Sequence, residues 1–153
     1  MKTISLEIKK ALWEKARQKL HMQVTDIRSQ LEGLSEARAT EGKSSAGDKY
    51  ETQLEMIKQN QDLLGRQLMQ AKQMSEQLAS VPLRGMETVG EGTLMQLPIG
   101  LVWVSIPLGK LEHEGHEYHL VSKESPLFLQ LKNLKEGEMV SFRGKSFVLE
   151  ALI

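Results

Sequence analysis

Apolar positions in the first 80 residues recur at helical spacing. Leu6, Trp13, Leu20, Ile27 and Leu34 stand seven apart, and Val24 and Leu31 add positions four after Leu20 and Ile27. A second row runs Tyr50, Leu54, Ile57, Gln61, Leu64, Leu68, Ala71, Ser75, Leu78, alternating steps of four and three. That alternation is the seam of a coiled coil. Residues 6–38 and 49–79 contain no proline, and each segment of roughly 30 residues would make about 45 Å of helix. Helices of this length need a partner for their apolar stripe. The short polar loop Gly42-Lys43-Ser44-Ser45-Ala46-Gly47-Asp48 between them predicts one antiparallel hairpin within the chain. Gln61 and Ser75 read as polar seam positions that fix its register.

The pattern changes after Ala79. Ser80-Val81-Pro82-Leu83-Arg84-Gly85 breaks the helical spacing, and short apolar runs separated by turn residues follow. The run from Gly100 to Ile106 reads as a buried strand. Glu117 to Ser122 reads as another, paired through the turn at Glu114-Gly115. Leu127 to Leu134 reads as a short helix after Ser125-Pro126, with proline in the first turn. Met139 to Phe142 and Ser146 to Leu152 read as a hairpin around Arg143-Gly144-Lys145. The expected fold is α+β: a coiled-coil hairpin over 1–80 with its tip at about 40–49, a linker over 81–90, and a small antiparallel β domain with one short helix over 91–153.

Composition narrows the functional classes. Apolar residues at 40% and charged residues at 26% are a globular balance. Twenty basic residues meet twenty acidic ones, which argues against free binding to duplex DNA. With no cysteine, disulfides, thiolate catalysis and cysteine-based zinc sites are all excluded. The first residues lack the apolar core of a signal peptide, and no 18-residue apolar run exists, so the expectation is a cytoplasmic protein with no membrane partner.

Candidate chemistry is sparse. Gly42-Lys43-Ser44 echoes a phosphate-binding loop, but the full motif needs glycine where Ala37 stands and a strand where a helix is expected. The tip instead reads as a solvated reversal, with Ser44 or Ser45 capping the returning helix. His113, His116 and His119 suit a metal on a helix, but Gly115 makes this a turn between strands; there His116 and His119 point to opposite faces, and surface histidines are the plainer reading. Glu41, Asp48 and Glu51 cluster near the tip. Such carboxylates hold a divalent cation if a partner completes the site, or simply offset a helix dipole. No nucleophile-elbow serine is present, and a stand-alone enzyme is not expected.

Two stretches carry a resemblance. Glu36-Ala37-Arg38, followed by Gly42 to Tyr50, is similar to an E-A-R…G-D-L-x-E-N-A-E-Y segment. Val121-Ser122-Lys123-Glu124-Ser125-Pro126-Leu127, continuing through Gly137 and Val140 to Gly144-Lys145, is similar to an S-x-x-S-P-[IL]…G…V…G segment. Both belong to the Gre family (GreA/GreB) of bacterial transcription elongation factors, which the chain resembles over nearly its whole length: hairpin, linker, then a small FKBP-like sheet domain. The resemblance implies a monomer that docks on RNA polymerase through Glu124, Ser125 and Pro126. It also implies a hairpin that enters the secondary channel and carries Glu41, Lys43, Ser44, Ser45, Asp48 and Tyr50 toward the active centre. Nucleic acid is met only inside that complex. An FKBP-like sheet does not imply prolyl isomerase activity.

The tip departs from the family. Aligned without gaps back from Tyr50, the family's aspartate falls on Lys43 and its glutamate on Ala46, and one extra residue separates Arg38 from Gly42. Neither Lys43 nor Ala46 can ligate a cation. The implied role is therefore modulation of transcription with cleavage of backtracked transcripts altered or absent. No cofactor of the chain's own is expected, and a magnesium ion would at most be shared with the polymerase. The alternative is a coiled-coil interaction module unrelated to transcription, although the mostly polar outer face of the hairpin suits a solvated probe better.

Overall fold

Helix formation follows the predicted breaks. A computed structural model of the protein describes residues 3–41 and 47–153. Helix α1 spans Leu6–Glu41 and α2 spans Gly47–Ala79. Seven strands and one short helix follow: β1 Leu94–Leu97, β2 Gly100–Val104, β3 Gly109–His113, β4 His116–Val121, α3 Pro126–Leu131, β5 Met139–Phe142, β6 Lys145–Val148 and β7 Ala151–Leu152. The chain divides into two compact units, and α1 and α2 each contribute to both: residues 19–73 form one, and residues 1–18 with 74–153 form the other. Among the described residues no helix is long and apolar enough to cross a membrane.

In the unit of residues 19–73, the predicted seam is the less exposed side of each helix. Leu20 and Ile27 are buried on α1, and Ala71 is buried on α2. Tyr50, Leu54, Ile57, Gln61, Leu64 and Leu68 are half-buried. Further along α2, in the other unit, the seam shifts by one residue: Ser75 is exposed and Met74 is half-buried in its place.

The other unit is built on a five-stranded sheet in the order β3-β4-β2-β1-β7. Its pairings are antiparallel except β2 with β4, which run parallel, so the sheet is mixed rather than purely antiparallel. The chain leaves β2, lays β3 at the far edge, and turns back so that β4 fills the gap between them. Turns at Glu114-Gly115 and Arg143-Gly144 place both central residues at positive φ, 49° and 82° in the first and 51° and 78° in the second. This is the geometry that matches the twist of a two-residue hairpin, and glycine takes it without strain. The second hairpin is tighter than the sequence suggested. Lys145 already belongs to β6, which pairs with β5 in a separate two-stranded sheet, while β7 leaves to pair with β1.

Both faces of the central strand β2 are buried, as its unbroken apolar run requires. Val102 and Val104 face a core of Met95, Leu97, Phe128, Leu131, Val140 and Leu149. The register puts Leu101 and Trp103 on the opposite face with Leu94, Leu111, Tyr118 and Leu120, all buried. The first turns of α1 cover this second face. Ile8, Leu12 and Ala16 are buried, a stripe of four-residue steps distinct from the Leu6–Trp13 row read from sequence. The stripe widens here because this end of α1 meets both the sheet and the end of α2.

Four side-chain hydrogen bonds hold this end of the chain, two to the sheet, one to the end of α2 and one to segment 81–90. The Tyr118 hydroxyl donates to the Thr3 carbonyl at 2.7 Å, and Lys15 Nζ donates to the Glu112 carbonyl at 2.7 Å. Trp13 Nε1 donates to the Leu78 carbonyl in the last turn of α2 at 2.9 Å, and the same carbonyl accepts from Val81 N–H at 3.1 Å. Lys9 Nζ donates to the Arg84 carbonyl at 2.7 Å, and Lys9 is fully buried. Burial, with the nearby Arg84 charge, lowers the Lys9 amine from 10.5 to about 8. Burial, and secondarily the charge of Glu114, raises the Tyr118 hydroxyl above its ordinary value.

Segment 81–90 is held at both ends. Val81 and Val89 are buried; Val89 N–H donates to the Leu134 carbonyl at 2.9 Å, and Asn133 N–H donates to the Val89 carbonyl at 2.9 Å.

Two predictions follow from this packing. Leu12→Ala removes a fully buried side chain and should cost about 2–5 kcal/mol in denaturant unfolding. Leu63→Ala, at a position 46% exposed, should stay within about 1 kcal/mol. The second concerns pH. Between about 8 and 10.5 the unfolded chain holds the Lys9 proton and the folded chain does not, so rising pH favours folding. That stabilisation is complete above 10.5 and is lost as pH falls through about 8. The stability of the wild type relative to Lys9→Met should therefore rise across this window; a flat difference would contradict the assignment.

Candidate functional site

Of the residues singled out from sequence, the serine–proline stretch has the most defined geometry. Ser125 is the N-cap of α3: its backbone is extended (φ −65°, ψ 145°), and its Oγ accepts from Phe128 N–H at 3.1 Å. Pro126 occupies the first helical turn, where its missing N–H costs nothing. Ser125 N–H donates to the Ser122 carbonyl at 3.1 Å, and Glu124 N–H donates to Ser122 Oγ at 3.3 Å. Serines 122 and 125 thus fold the chain into a fixed turn on which Glu124 and Pro126 are exposed. The helix ends at Leu131 rather than Leu134. Asn133 takes positive φ (68°), and its N–H is committed to Val89 instead of a helical carbonyl.

Helix α3 turns Leu127, Phe128 and Leu131 into the core. Leu129 is left on the outside, 60% exposed. Beside it lies a groove of about 440 Å³ bounded by Pro126, Leu129, Gln130, Ser141, Phe142 and Arg143. The Arg143 guanidinium sits over the Phe142 ring, 5.0 Å from its centroid. A second groove of about 410 Å³ lies on the other side of Leu129, with Val89, Lys123, Phe128 and Lys132 among its walls. Lys123 pairs with Glu91 at 3.3 Å. Sequence reasoning missed Leu129, Lys132 and Arg143; the available signal was that Leu127, Phe128 and Leu131 complete one helix face and leave Leu129 off it.

The tip lies largely outside the described residues, as Lys43, Ser44 and Ser45 do, together with the side chains of Glu41 and Asp48. Glu41 ends α1, Asp48 is in the first turn of α2, and Tyr50 is half-buried on α2. The histidines do not converge. His113 and His116 face each other across the β3–β4 hairpin, and His119 lies opposite Lys110. His113 is less exposed than a surface reading suggests: its side chain is 16% accessible and its Nδ1 is buried. Among the described residues no three histidine, aspartate or glutamate side chains are grouped to hold a metal ion.

The cap gives a direct test. Ser125→Ala should cost about 1 kcal/mol of stability, and Ser125→Asp, which restores an acceptor, should recover most of it in denaturant titrations.

No protein-family model matches the chain, and no curated protein matches it. Two solved structures are similar over most of its length. One is described as the transcription factor Gfh1, at 16% identity over 90% of this chain and 92% of that one, with a TM-score of 0.39. The other is described as GreA factor homolog 1 (Gfh1) of Thermus thermophilus, at 18% identity over 90% and 94%, with a TM-score of 0.37. Likeness at this level establishes neither a shared activity nor a shared partner.

Proposed function

We propose that the chain is a Gre-like transcription factor that binds RNA polymerase through the Glu124-Ser125-Pro126 turn and carries its hairpin tip into the secondary channel. One observation carries the reading. The serine–proline stretch forms a capped, internally bonded turn ahead of α3, in a sheet domain that follows a two-helix hairpin. That is the order of parts the sequence resemblance calls for.

The tip sequence sets the direction of the effect. Lys43 and Ala46 stand where the resemblance calls for two acids. A lysine ammonium opposes a divalent cation and pairs with phosphate, while alanine has no ligand atom. The factor therefore modulates elongation, pausing or initiation without stimulating transcript cleavage. It has no enzymatic activity of its own, and any magnesium ion at the tip belongs to the polymerase. It acts as a cytoplasmic monomer and reaches nucleic acid only inside the transcription complex.

A second reading has one observation in its favour. Met22, Met56, Leu63 and Met69 are exposed apolar side chains on the hairpin, a surface that suits another helix. Under that reading the chain is a coiled-coil interaction module, and its partner is not the polymerase.

Affinity capture with core RNA polymerase separates the two. The proposed factor should retain polymerase and leave backtracked complexes uncleaved beyond their intrinsic rate. Failure to retain polymerase would overturn it, and strong stimulation of cleavage would overturn the reading of Lys43 and Ala46.

A further inference from the structure

An exposed leucine alone is ordinary on a protein surface. Leu129 differs in what surrounds it. It forms a ridge between two grooves of about 440 and 410 Å³, one floored by the Phe142 ring and the other reaching buried Phe128 and Val89. Arg143 lines the first groove and Lys132 the second, so a cation lies on each side of the ridge. Among the described residues neither has an acidic partner, whereas Lys123 and Glu91, which also line the second groove, are paired with each other and leave Lys132 as its free charge. The Arg143 guanidinium is held over Phe142, which limits its freedom before any partner arrives. Arg143 also keeps a positive φ of 51°, a conformation that bulky residues rarely adopt.

An apolar ridge, two apolar-floored grooves and two unpaired cations form one complementary pattern. The matching surface presents apolar side chains that fill the grooves and carboxylates that meet Arg143 and Lys132. Arginine at an interface binds carboxylate through two parallel hydrogen bonds, and apolar anchors in pockets supply most of the affinity. The ridge adjoins the Ser125-Pro126 turn, because Pro126 walls the first groove.

We infer that Leu129, Lys132 and Arg143 form the main anchor of this chain on RNA polymerase, seated on a protein segment of apolar side chains flanked by carboxylates; this rests on the polymerase reading above. Under this inference the serine–proline turn is a positioning element. It caps and aims α3 and makes the first docking contact, while most of the affinity comes from the helix's outer face and the turn at Arg143.

The test is the Kd of full-length protein for core RNA polymerase, measured for the wild type and three variants. Leu129→Ser should weaken binding about tenfold or more, as loss of an anchor does. Lys132→Glu with Arg143→Glu should weaken it at least as much and flatten its dependence on salt. Met139→Ser, at a side chain 68% exposed but in neither groove, should bind as the wild type does. All substituted side chains are exposed, so unchanged unfolding curves exclude misfolding as the cause. If the wild type binds and the Leu129 and cation variants bind equally well, the anchor is overturned and the polymerase reading stands. If the wild type does not bind, both fall.

Discussion

The structure depends on covering the second face of the central sheet. Strand β2 is apolar on both sides, so neither face of the sheet at its centre can be left to water. One side is covered by α3 and the β5–β6 sheet. The other holds Trp103, Tyr118, Leu101, Leu111 and Leu120 and is covered by the first turns of α1. The N-terminal segment is therefore part of the sheet unit's core, although about 80 residues separate it from β1 in sequence. Hydrogen bonds from Lys15 and Tyr118 join this segment to the sheet, and those from Lys9 and Trp13 join it to segment 81–90 and the end of α2, each ending on a backbone carbonyl. Carbonyl acceptors tie the helix to the chain's path rather than to particular neighbouring side chains.

Lys9 is the least expected of these. A fully buried ammonium is costly unless paired, and here it donates to the Arg84 carbonyl at the start of segment 81–90. The lowered amine value reflects that cost. Segment 81–90 consequently takes part in the fold at both ends, through Lys9 and Val81 at one and Val89 at the other. Helix α1 runs without a break from these contacts into the second unit.

How much was legible in the sequence depended on whether one contact or several decided a position. The distal seam was readable because a coiled coil repeats a single contact; Leu20, Ile27 and Leu64 lie where the spacing put them. At its base α1 meets two surfaces, and Ile8, Leu12 and Ala16 followed a stripe that a heptad count does not find. The burial of Lys9 has no sign in the sequence, because nothing local announces a carbonyl 75 residues away. Strand β1 was missed because Leu94-Met95-Gln96-Leu97 has no β-branched residue. The parallel pairing was hidden because strand direction leaves no mark on a run that is apolar throughout. At the candidate site, Pro126 was legible as local chemistry, a first-turn residue of a short helix. Leu129, Lys132 and Arg143 were not, because their significance comes from α3 packing beside β5, which no spacing encodes.

The central claim is that the first turns of α1 and the central sheet are one cooperative unit. Hydrogen exchange on the full-length protein tests it most directly. Amides of residues 8–16 should exchange as slowly as those of 101–104, and both should be slower than residues 54–64 of α2. If residues 8–16 instead exchange as fast as residues 54–64 while 101–104 stay protected, α1 does not belong to the sheet's core and the account is wrong.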